Sequence, residues 1–287
     1  MKALITGANG QVGQALQLLA PTNASLAALG RAALDITDLA EVDRVIKQAQ
    51  PDLIINAAAY TAVDRAEQEA EAAFAANKTG PANLALATRN VGAKLLHIST
   101  DFVFDGRANV PYRPEHPLAP LGVYGQSKAD GETAVLASLP TALIVRTGWV
   151  YAAKGSNFLV TMLRLMHERP ELRVVADQIG TPTHADSLAR AIWALVQGAH
   201  HGILHYSDSG TASWYDFAVA IQEEALAQGL LDKTVPIIPI RTQDYPTPAQ
   251  RPAYSVLDKT DTIALLGSPS AHWRQELRVA LTQLRTP

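Results

Sequence analysis

Short apolar runs alternate with amphipathic stretches along the first 150 residues of the chain. The runs have the length of single strands, whereas the stretches between them repeat their apolar positions at helical spacing. This alternation predicts a parallel sheet covered by helices. The predicted strands are residues 2–6, 25–29, 52–56, 94–99 and 141–146. The predicted helices are residues 11–20, 39–50, 67–91 and 124–137.

Local signals mark the ends of two of these helices. Asp38 and Glu41 stand three residues apart before the second helix and predict a capping box, and Pro51 marks the end of that helix. The pair Gly80-Pro81 lies inside the alanine-rich third helix and predicts a break or a new cap there.

The pattern loosens after about residue 150. Clusters of proline and glycine at residues 178–183 and 244–248 separate shorter helices, which is typical of excursions from a main sheet. We therefore predict a doubly wound α/β fold with two domains. The larger one covers residues 1–150, and a smaller carboxyl-terminal α/β lobe that binds the substrate covers mainly residues 151–287.

The composition narrows the class of protein. Of the 287 residues, 48% are hydrophobic and 18% are charged, the balance of a globular protein with a large core. The 24 basic and 27 acidic residues give a net charge of −3, without the basic excess typical of nucleic-acid binding. The sequence has no cysteine and no run of roughly 18 apolar residues that could span a membrane. We expect a soluble, cytoplasmic protein without a nucleic-acid or membrane partner.

A glycine series directly follows the first predicted strand and precedes the first predicted helix. Gly7 permits a tight turn, Gly10 lets the backbone approach a pyrophosphate, and Gly13 allows close packing of helix on strand. The N–H groups at the start of the helix favour a bound phosphate. A dinucleotide-binding Rossmann domain is therefore predicted, with a plain turn as the alternative. The predicted cofactor contacts of this loop are Gly7, Asn9, Gly10, Gln11, Val12 and Gly13.

The residues after the second strand indicate which nicotinamide cofactor is used. An acidic residue there usually binds the ribose of NAD, whereas an arginine accommodates the 2′-phosphate of NADP. This chain has Arg31 at that place and no carboxylate before Asp35. We predict a preference for NADPH, with NADH also usable, and a solvated surface arginine is the alternative. Asp35 and Ile36 are expected to flank the adenine.

Small residues follow the third predicted strand. They leave room for the ribose and nicotinamide beside the crevice, although tight packing of a strand end has the same composition. The residues in question are Ala57, Ala58, Ala59, Tyr60 and Thr61.

Tyr124 and Lys128 stand at i and i+4 of a predicted helix and therefore share one of its faces. This spacing suits reduction of a carbonyl, because a phenol can give its proton to the oxygen as hydride reaches the carbon. The ordinary phenol pKa of about 10 has to fall for this work, and a neighbouring ammonium favours the phenolate. Thr100, after the fourth strand, is the candidate to hydrogen-bond the substrate carbonyl, and Asp101 to bind a substrate hydroxyl. A simple strand-end turn is the alternative for this pair.

In this order, the glycine loop, the Thr100-Asp101 strand end and the Tyr124–Lys128 pair resemble the extended short-chain dehydrogenase/reductase family. Further similar stretches extend the likeness through nearly the whole chain. They are residues 56–64, 99–106, 146–151, 157–158, 180–183 and 245–252.

The resemblance implies an activity and roles for individual residues. The later stretches are most similar to members that reduce the C4 ketone of dTDP-6-deoxy-L-lyxo-4-hexulose to dTDP-L-rhamnose with NAD(P)H. In that pattern Tyr124 donates the proton, while Lys128 binds the cofactor ribose and tunes Tyr124. Thr100 and Asp101 contact the sugar. Trp149 lies against the sugar or the nicotinamide, with a core tryptophan as the alternative.

Departures from the family pattern limit the possible activities. Sugar-nucleotide dehydratases carry a glutamate after the Thr-Asp pair, whereas this chain has Phe102, so dehydration is not expected. Another sugar-nucleotide epimerase or reductase, and a non-catalytic NADP-binding regulator, stay open as alternatives. Some members hold magnesium between glutamates at a dimer contact, and one such position is Ala15 here. We predict no metal and either a monomer or a homodimer.

Two further sets of residues carry expectations outside the main motifs. Arg251, in a proline-rich loop, is the candidate to bind the substrate diphosphate because its planar fork matches phosphate oxygens. An exposed loop arginine is the alternative. His200, His201 and His205 have no carboxylate at metal-ligand spacing, and a surface location is expected for them.

Overall fold

The structure, a computed structural model, describes residues 1–285. The strands are β1 (Lys2–Thr6), β2 (Ser25–Leu29), β3 (Leu53–Asn56), β4 (Lys94–Thr100), β5 (Leu143–Thr147), β6 (Val150–Tyr151), β7 (Leu172–Val175), β8 (Ile179–Gly180), β9 (Thr183–His184), β10 (Gly202–His205), β11 (Ala212–Ser213) and β12 (Ile237–Ile240). The α-helices are α1 (Gln11–Leu18), α2 (Leu39–Ala49), α3 (Val63–Ala66), α4 (Ala70–Phe74), α5 (Gly80–Val91), α6 (Val123–Ser138), α7 (Phe158–Glu168), α8 (Ala185–Leu195), α9 (Trp214–Ala227), α10 (Thr260–Leu266) and α11 (Trp273–Leu284).

The main sheet is parallel and has the strand order β10-β5-β4-β3-β1-β2. Its strands are apolar on both faces, as expected of a parallel sheet with helices on either side. One face packs against α1 and α8, and the other against α2, α5 and α6. The predicted doubly wound fold class is therefore confirmed.

Strand alternation assigns neighbouring residues to opposite faces. Ile5, Ile55 and Leu96 belong to the apolar cluster under α1 and α8. Leu4 and Ile54 belong to the cluster on the other face. Because β1, β3 and β4 lie side by side in register, the polar residues at their carboxyl ends meet at one edge of the sheet.

The second half of the chain contributes to both layers. Helix α8 and strand β10 pack with the main sheet, whereas α7, β7, α9 and α11 form a separate apolar cluster around Phe217 and Trp273. The chain thus leaves the main sheet after β5, returns to it at residues 185–205 and leaves again. The division at residue 150 stays a prediction, with these returning residues interleaved into the first part.

Two local predictions need correction. Asp38 caps α2 by accepting from the backbone N–H groups of Ala40 and Glu41, but the carboxylate of Glu41 accepts from Asp35 N instead of closing a capping box. Helical structure continues from α4 into α5 through a π-helical turn, Ala75–Thr79, rather than breaking at Gly80-Pro81. Pro81 is tolerated because it stands in the first turn of α5, where its missing N–H is not needed.

The expectation of a surface position is wrong for His205. Its ring is buried in β10, where Nδ1 lies 3.1 Å from the carbonyl oxygen of Tyr112. Burial and the nearby Arg146 charge lower the pKa of His205 to about 3, so this imidazole is neutral. Over residues 1–285, we find no helix with the length and apolar character needed to cross a membrane.

Candidate active site

The glycine loop forms a close-packed turn between β1 and α1. Gly7 has a positive φ of 69°, and a Cβ on it would lie 2.5 Å from Ala58 N. A Cβ on Gly13 would lie 2.2 Å from the carbonyl oxygen of Gly7. Gly10 is the N-cap of α1, and within residues 1–285 no side chain caps this helix and no acid stands in its first turn. The positive end of the helix is therefore open to an anion such as a pyrophosphate.

The side chains of the other residues of the glycine loop each contact a different part of the protein. The exposed side chain of Asn9 lies against Gly30, so the glycine loop and the end of β2 are in contact. Gln11 Oε1 accepts from Asn157 Nδ2 at 2.8 Å, a contact between the loop and the second half of the chain. Val12 packs on the core under α8. Their predicted cofactor contacts stay predictions, and for Val12 only the backbone is free to make one.

Arg31 extends into solvent beside the glycine loop. Its side chain is 88% exposed, and Nε lies 3.8 Å from Asp35 Oδ2. The Asp35 carboxylate accepts from the backbone and hydroxyl of Thr37, which lowers its pKa. The Ile36 side chain is buried under Gly80 of α5, and the expected place of Asp35 and Ile36 beside an adenine stays a prediction.

Residues 57–61 line the edge of the crevice after β3. The backbone at Ala57 and Ala58 packs directly on Gly7, whereas Ala59 and Thr61 are exposed. The hydroxyl of Tyr60 donates to Glu69 at 2.7 Å. The expected room for a ribose thus lies over Ala59 and Thr61, and the Tyr60 hydroxyl already has a partner.

Thr100 and Tyr124 meet at the carboxyl end of β4. Thr100 Oγ1 donates to Asp101 Oδ1 at 3.1 Å and accepts from Phe102 N at 3.3 Å. Tyr124, in the first turn of α6, packs its half-buried ring edge-on against Phe102 with centroids 5.5 Å apart, and its hydroxyl is near enough to Thr100 for that residue to lower its pKa. The structure therefore brings together the predicted proton donor and the predicted carbonyl-orienting hydroxyl.

The proton affinity of Tyr124 differs from the expectation. Burial and the Asp101 charge raise its pKa to about 12, against a lowering by the nearby Thr100 hydroxyl. The predicted lowering by Lys128 is not found, because the Lys128 ammonium donates to the carbonyl oxygen of Ile98 at 2.6 Å on the neighbouring strand. The shared helix face is real, but the longer lysine side chain reaches β4. Tyr124 consequently stays protonated near neutral pH and is able to act as an acid.

Asp101 has a buried carboxyl group. Burial raises its pKa to about 6, against hydrogen bonds with Ser255 and Thr100 that lower it. A Cβ on Gly148 would lie 2.5 Å from Asp101 Oδ2, so only glycine leaves room for this carboxylate. The carboxylate is thus directed toward Ser255 and Gly148, and its expected bond to a sugar hydroxyl stays a prediction.

The raised pKa of Asp101 predicts a pH-dependent gain in stability from Asp101→Asn. A folded-state pKa of about 6 above the unfolded value means that the charged carboxylate costs stability above about pH 6, and that the cost disappears below about pH 4. We expect Asp101→Asn to increase the free energy of unfolding by roughly 1–3 kcal/mol at about pH 8 and by nearly nothing at about pH 4. Urea denaturation of both proteins at the two pH values measures this. An equal effect at both pH values contradicts the assignment.

Trp149 is held in an unusual backbone conformation beside Asp101. Its φ is 52°, and its ring stacks face to face on Trp214 with centroids 3.5 Å apart. Gly180 lies against the same ring, where a Cβ would come within 2.5 Å. Trp214 Nε1 donates to Gln178 Oε1. The predicted site residue Trp149 is therefore clamped by Trp214 and Gly180, which the sequence analysis did not assign to the site.

The predicted contact of Arg251 with the substrate diphosphate stays a prediction, and in this structure the side chain is paired. Its Nη1 and Nη2 form a two-pronged ion pair with Asp64 at 3.1 and 2.8 Å, and Nη1 also donates to Thr247. The two N–H groups with which the guanidinium could bind two phosphate oxygens at once are thus already paired with a carboxylate. Arg251 fastens residues 245–252 to α3 in this structure.

Two further residues position α6, and the sequence analysis did not identify them. Asn77, buried in the π-helical turn, bonds both backbone groups of Tyr60 and donates to Ser127 of α6. Glu67 accepts from Val123 N at the start of α6. A π-helical turn often marks functional residues, but its extra residue is not visible in the sequence pattern.

The site has an open helix N-terminus after β1, a threonine at the end of β4, and a tyrosine and a lysine on α6. These features define an oxidoreductase of the extended short-chain dehydrogenase/reductase class, which uses a nicotinamide dinucleotide. Comparison with known proteins narrows this class. The family described as RmlD substrate binding domain matches residues 1–286, and the chain belongs to this family. The family predicted from the sequence is confirmed.

Named relatives match the chain along its whole length. It is 41% identical over 285 residues to dTDP-4-dehydrorhamnose reductase of Aggregatibacter actinomycetemcomitans, covering 96% of this chain and 97% of the relative. The crystal structure of a dTDP-4-dehydrorhamnose reductase from Clostridium acetobutylicum has a TM-score of 0.94 at 39% identity, with 100% of both chains covered. The Bacillus anthracis dTDP-4-dehydrorhamnose reductase in complex with NADP has a TM-score of 0.93 at 38% identity, with 98% of this chain and 99% of that chain covered.

Proposed function

We propose that this chain reduces the C4 ketone of dTDP-6-deoxy-L-lyxo-4-hexulose with NADPH and so forms dTDP-L-rhamnose. The meeting of Thr100 and Tyr124 at the sheet edge beside the glycine loop carries the proposal, because reduction of a ketone needs an acid and an orienting hydroxyl together. The full-length similarity to proteins named dTDP-4-dehydrorhamnose reductase supports the choice of substrate.

The residues present fit NADPH. Bound at the site, NADPH supplies a hydride to the ketone carbon. The open N-terminus of α1 accommodates the pyrophosphate, and Gly7 and Gly13 allow the backbone to form the turn beneath it. Arg31 is the residue available for a 2′-phosphate. NADP in the Bacillus anthracis relative supports this assignment.

The chain's own groups perform the proton chemistry. Tyr124 donates its phenolic proton to the carbonyl oxygen as negative charge develops there, and its high pKa keeps that proton in place until then. Thr100 orients the oxygen, with its own hydroxyl fixed by Asp101. Trp149, clamped by Trp214, forms an apolar wall beside these groups. Arg251 reaches the diphosphate only if it exchanges Asp64 for phosphate oxygens.

The proposal also covers the location, the subunit number and the partners of the enzyme. We place it in the cytoplasm as a monomer or homodimer, with no bound metal and no nucleic-acid or membrane partner. The net charge of −3 supports the absence of a polyanion partner, and Ala15 supports the absence of a metal at a dimer contact. Light scattering of the purified protein measures the subunit number.

An assay with the purified protein tests the function. We expect NADPH to be oxidised in equal amount to the ketosugar nucleotide consumed, with dTDP-L-rhamnose as the product by NMR. An epimerase would interconvert sugar nucleotides without net consumption of NADPH. A non-catalytic regulator would bind NADPH without turnover. Either result overturns the proposal.

The position of Arg31 predicts that Arg31→Asp shifts cofactor preference from NADPH to NADH. The new carboxylate repels a 2′-phosphate and accepts from a ribose hydroxyl, so the ratio of kcat/KM for NADPH over NADH should fall about 10–100-fold. Steady-state kinetics with each cofactor measure the ratio. Arg44→Asp, the same charge change on the outside of α2, is the matched control and should leave the ratio near its original value. A ratio unchanged in Arg31→Asp removes Arg31 from cofactor selection.

A further inference from the structure

A line of buried polar side chains runs from the centre of the sheet to Lys128 of α6. Thr6 Oγ1 donates to Asn56 Oδ1 at 2.7 Å, and Ala58 N donates to the same oxygen at 3.1 Å. Asn56 Nδ2 lies 2.9 Å from His97 Nδ1, and His97 Nε2 lies 3.4 Å from Lys128 Nζ. Thr6, Asn56, His97 and Lys128 are all at most 2% exposed. The line therefore links β1, β3, β4 and α6 inside the protein, where it is almost but not wholly shielded from solvent.

Donor and acceptor roles along this line are fixed by the backbone. The N–H of Ala58 can only donate, so the atom of Asn56 that it meets is the amide oxygen. The other amide atom of Asn56 is then a donor, and His97 Nδ1 has to accept from it. A neutral imidazole with an accepting Nδ1 carries its proton on Nε2. His97 thus presents an N–H group to Lys128 Nζ.

An N–H group facing Lys128 suits the amine form of the lysine better than the ammonium form. An ammonium has donors only, whereas the amine has a lone pair that can accept from His97 Nε2–H while it donates to the Ile98 carbonyl oxygen. Burial lowers the pKa of Lys128 to about 8. Burial and the Lys128 charge hold the pKa of His97 well below its ordinary value, so the ring stays neutral.

Other charged groups near Lys128 act in the opposite direction or are already paired. Glu132, one turn further along α6, raises the pKa of Lys128. Its carboxylate is bound by Arg146 of β5 and by Ser99 of β4. Tyr124, on the same helix, is a neutral phenol near neutral pH. Of the groups that face Lys128, His97 is therefore the one whose tautomer decides between amine and ammonium.

We propose that His97 is a positioning residue for Lys128. The His97 ring fixes Lys128 Nζ between itself and the Ile98 carbonyl oxygen. Through a tautomer set by Asn56 and Thr6, His97 also favours release of the Lys128 proton. In that step one Nζ–H bond breaks, its electron pair stays on nitrogen, and the proton goes to water and returns from water. The role of this equilibrium in turnover rests on the proposed function. The equilibrium itself does not, because it belongs to the chain alone.

Nitrogen NMR of the wild-type protein tests the tautomer directly. We expect the His97 ring at neutral pH to be uncharged, with a protonated Nε2 and a bare Nδ1. A protonated Nδ1 overturns the proposal, whatever the enzyme assay shows.

A double-mutant cycle tests the effect on Lys128. Asn56→Asp keeps an oxygen that accepts from Thr6 and Ala58, but it replaces the amide nitrogen that faces His97 with a second oxygen. The His97 ring proton then moves to Nδ1 to donate to that oxygen. His97 Nε2 becomes an acceptor for the Lys128 ammonium. Titration of the Lys128 Cε signal in protein labelled at lysine Cε, assigned with Lys128→Arg, reports the midpoint. We expect Asn56→Asp to raise the Lys128 midpoint in both backgrounds, and by about 0.5–1 pH unit more when His97 is present than in the His97→Leu background. In the His97→Leu background, only the added negative charge of the new carboxylate acts on Lys128.

Control variants separate this effect from loss of packing. His97→Gln can accept from Asn56 and donate to Lys128, so we expect a midpoint near that of the wild type. Leu95→Ala, two residues earlier on the same strand, removes buried apolar volume only and should lower stability without moving the midpoint. Equal shifts from Asn56→Asp in both backgrounds overturn the proposal. Should His97→Leu not fold, the tautomer measurement on the wild-type protein still decides it.

Discussion

Tyr124→Phe is expected to lower kcat by roughly 10²–10⁴-fold, the usual contribution of a general acid. The variant removes the hydroxyl that lies near Thr100 at the carboxyl end of β4 and leaves the ring to pack on Phe102. The binding of NADPH should change little, because the glycine loop and Arg31 lie on other elements. Stopped-flow measurement of NADPH oxidation gives kcat, and fluorescence titration gives cofactor affinity.

Tyr206→Phe is the matched control for loss of a buried tyrosine hydroxyl. Tyr206 hydrogen-bonds Ser187 at 2.6 Å and belongs to the core under α8, outside the candidate site. Its loss should reduce stability but leave kcat within a few-fold of the wild type. If Tyr124→Phe retains turnover close to that of this control, Tyr124 is not the proton donor.

Features with a local cause could be predicted from the sequence. Strands β1 and β2 have the predicted bounds, because each short apolar run ends at a turn or a polar residue. The place of the glycine loop could be predicted as well, since Gly7 and Gly13 meet contacts that exclude any side chain. The edge where Thr100 and Tyr124 meet follows from parallel strands ending side by side.

Features that depend on distant partners could not be predicted. Arg251 finds Asp64, which is 187 residues away in the chain, and no spacing rule indicates this pairing. Lys128 was expected to act on Tyr124 because both share a helix face, but its partner is the carbonyl oxygen of Ile98 on β4. Strand β10 joins the sheet only after α8 returns to it. In each case tertiary packing selects among contacts that the sequence leaves equivalent.

A buried ion pair beneath the site gives the second large expected effect. Arg146 binds Glu132 with two hydrogen bonds of 2.9 and 2.7 Å, and the two side chains are 1% and 2% exposed. Ser99, next to Thr100, donates to the same carboxylate at 2.5 Å, and Arg146 Nη1 donates to the Pro114 carbonyl oxygen. This pair therefore connects α6, β4 and β5 with the loop that follows Asp101.

We expect Glu132→Gln to lower the free energy of unfolding by about 3–5 kcal/mol, because it leaves the Arg146 guanidinium buried without a counter-charge. Arg146→Met should cost a similar amount by leaving Glu132 unpaired, whereas the double variant Glu132→Leu/Arg146→Met should cost much less than the sum of the single changes. Urea denaturation at neutral pH measures all three. A double variant as destabilised as the sum would mean that the two side chains act separately.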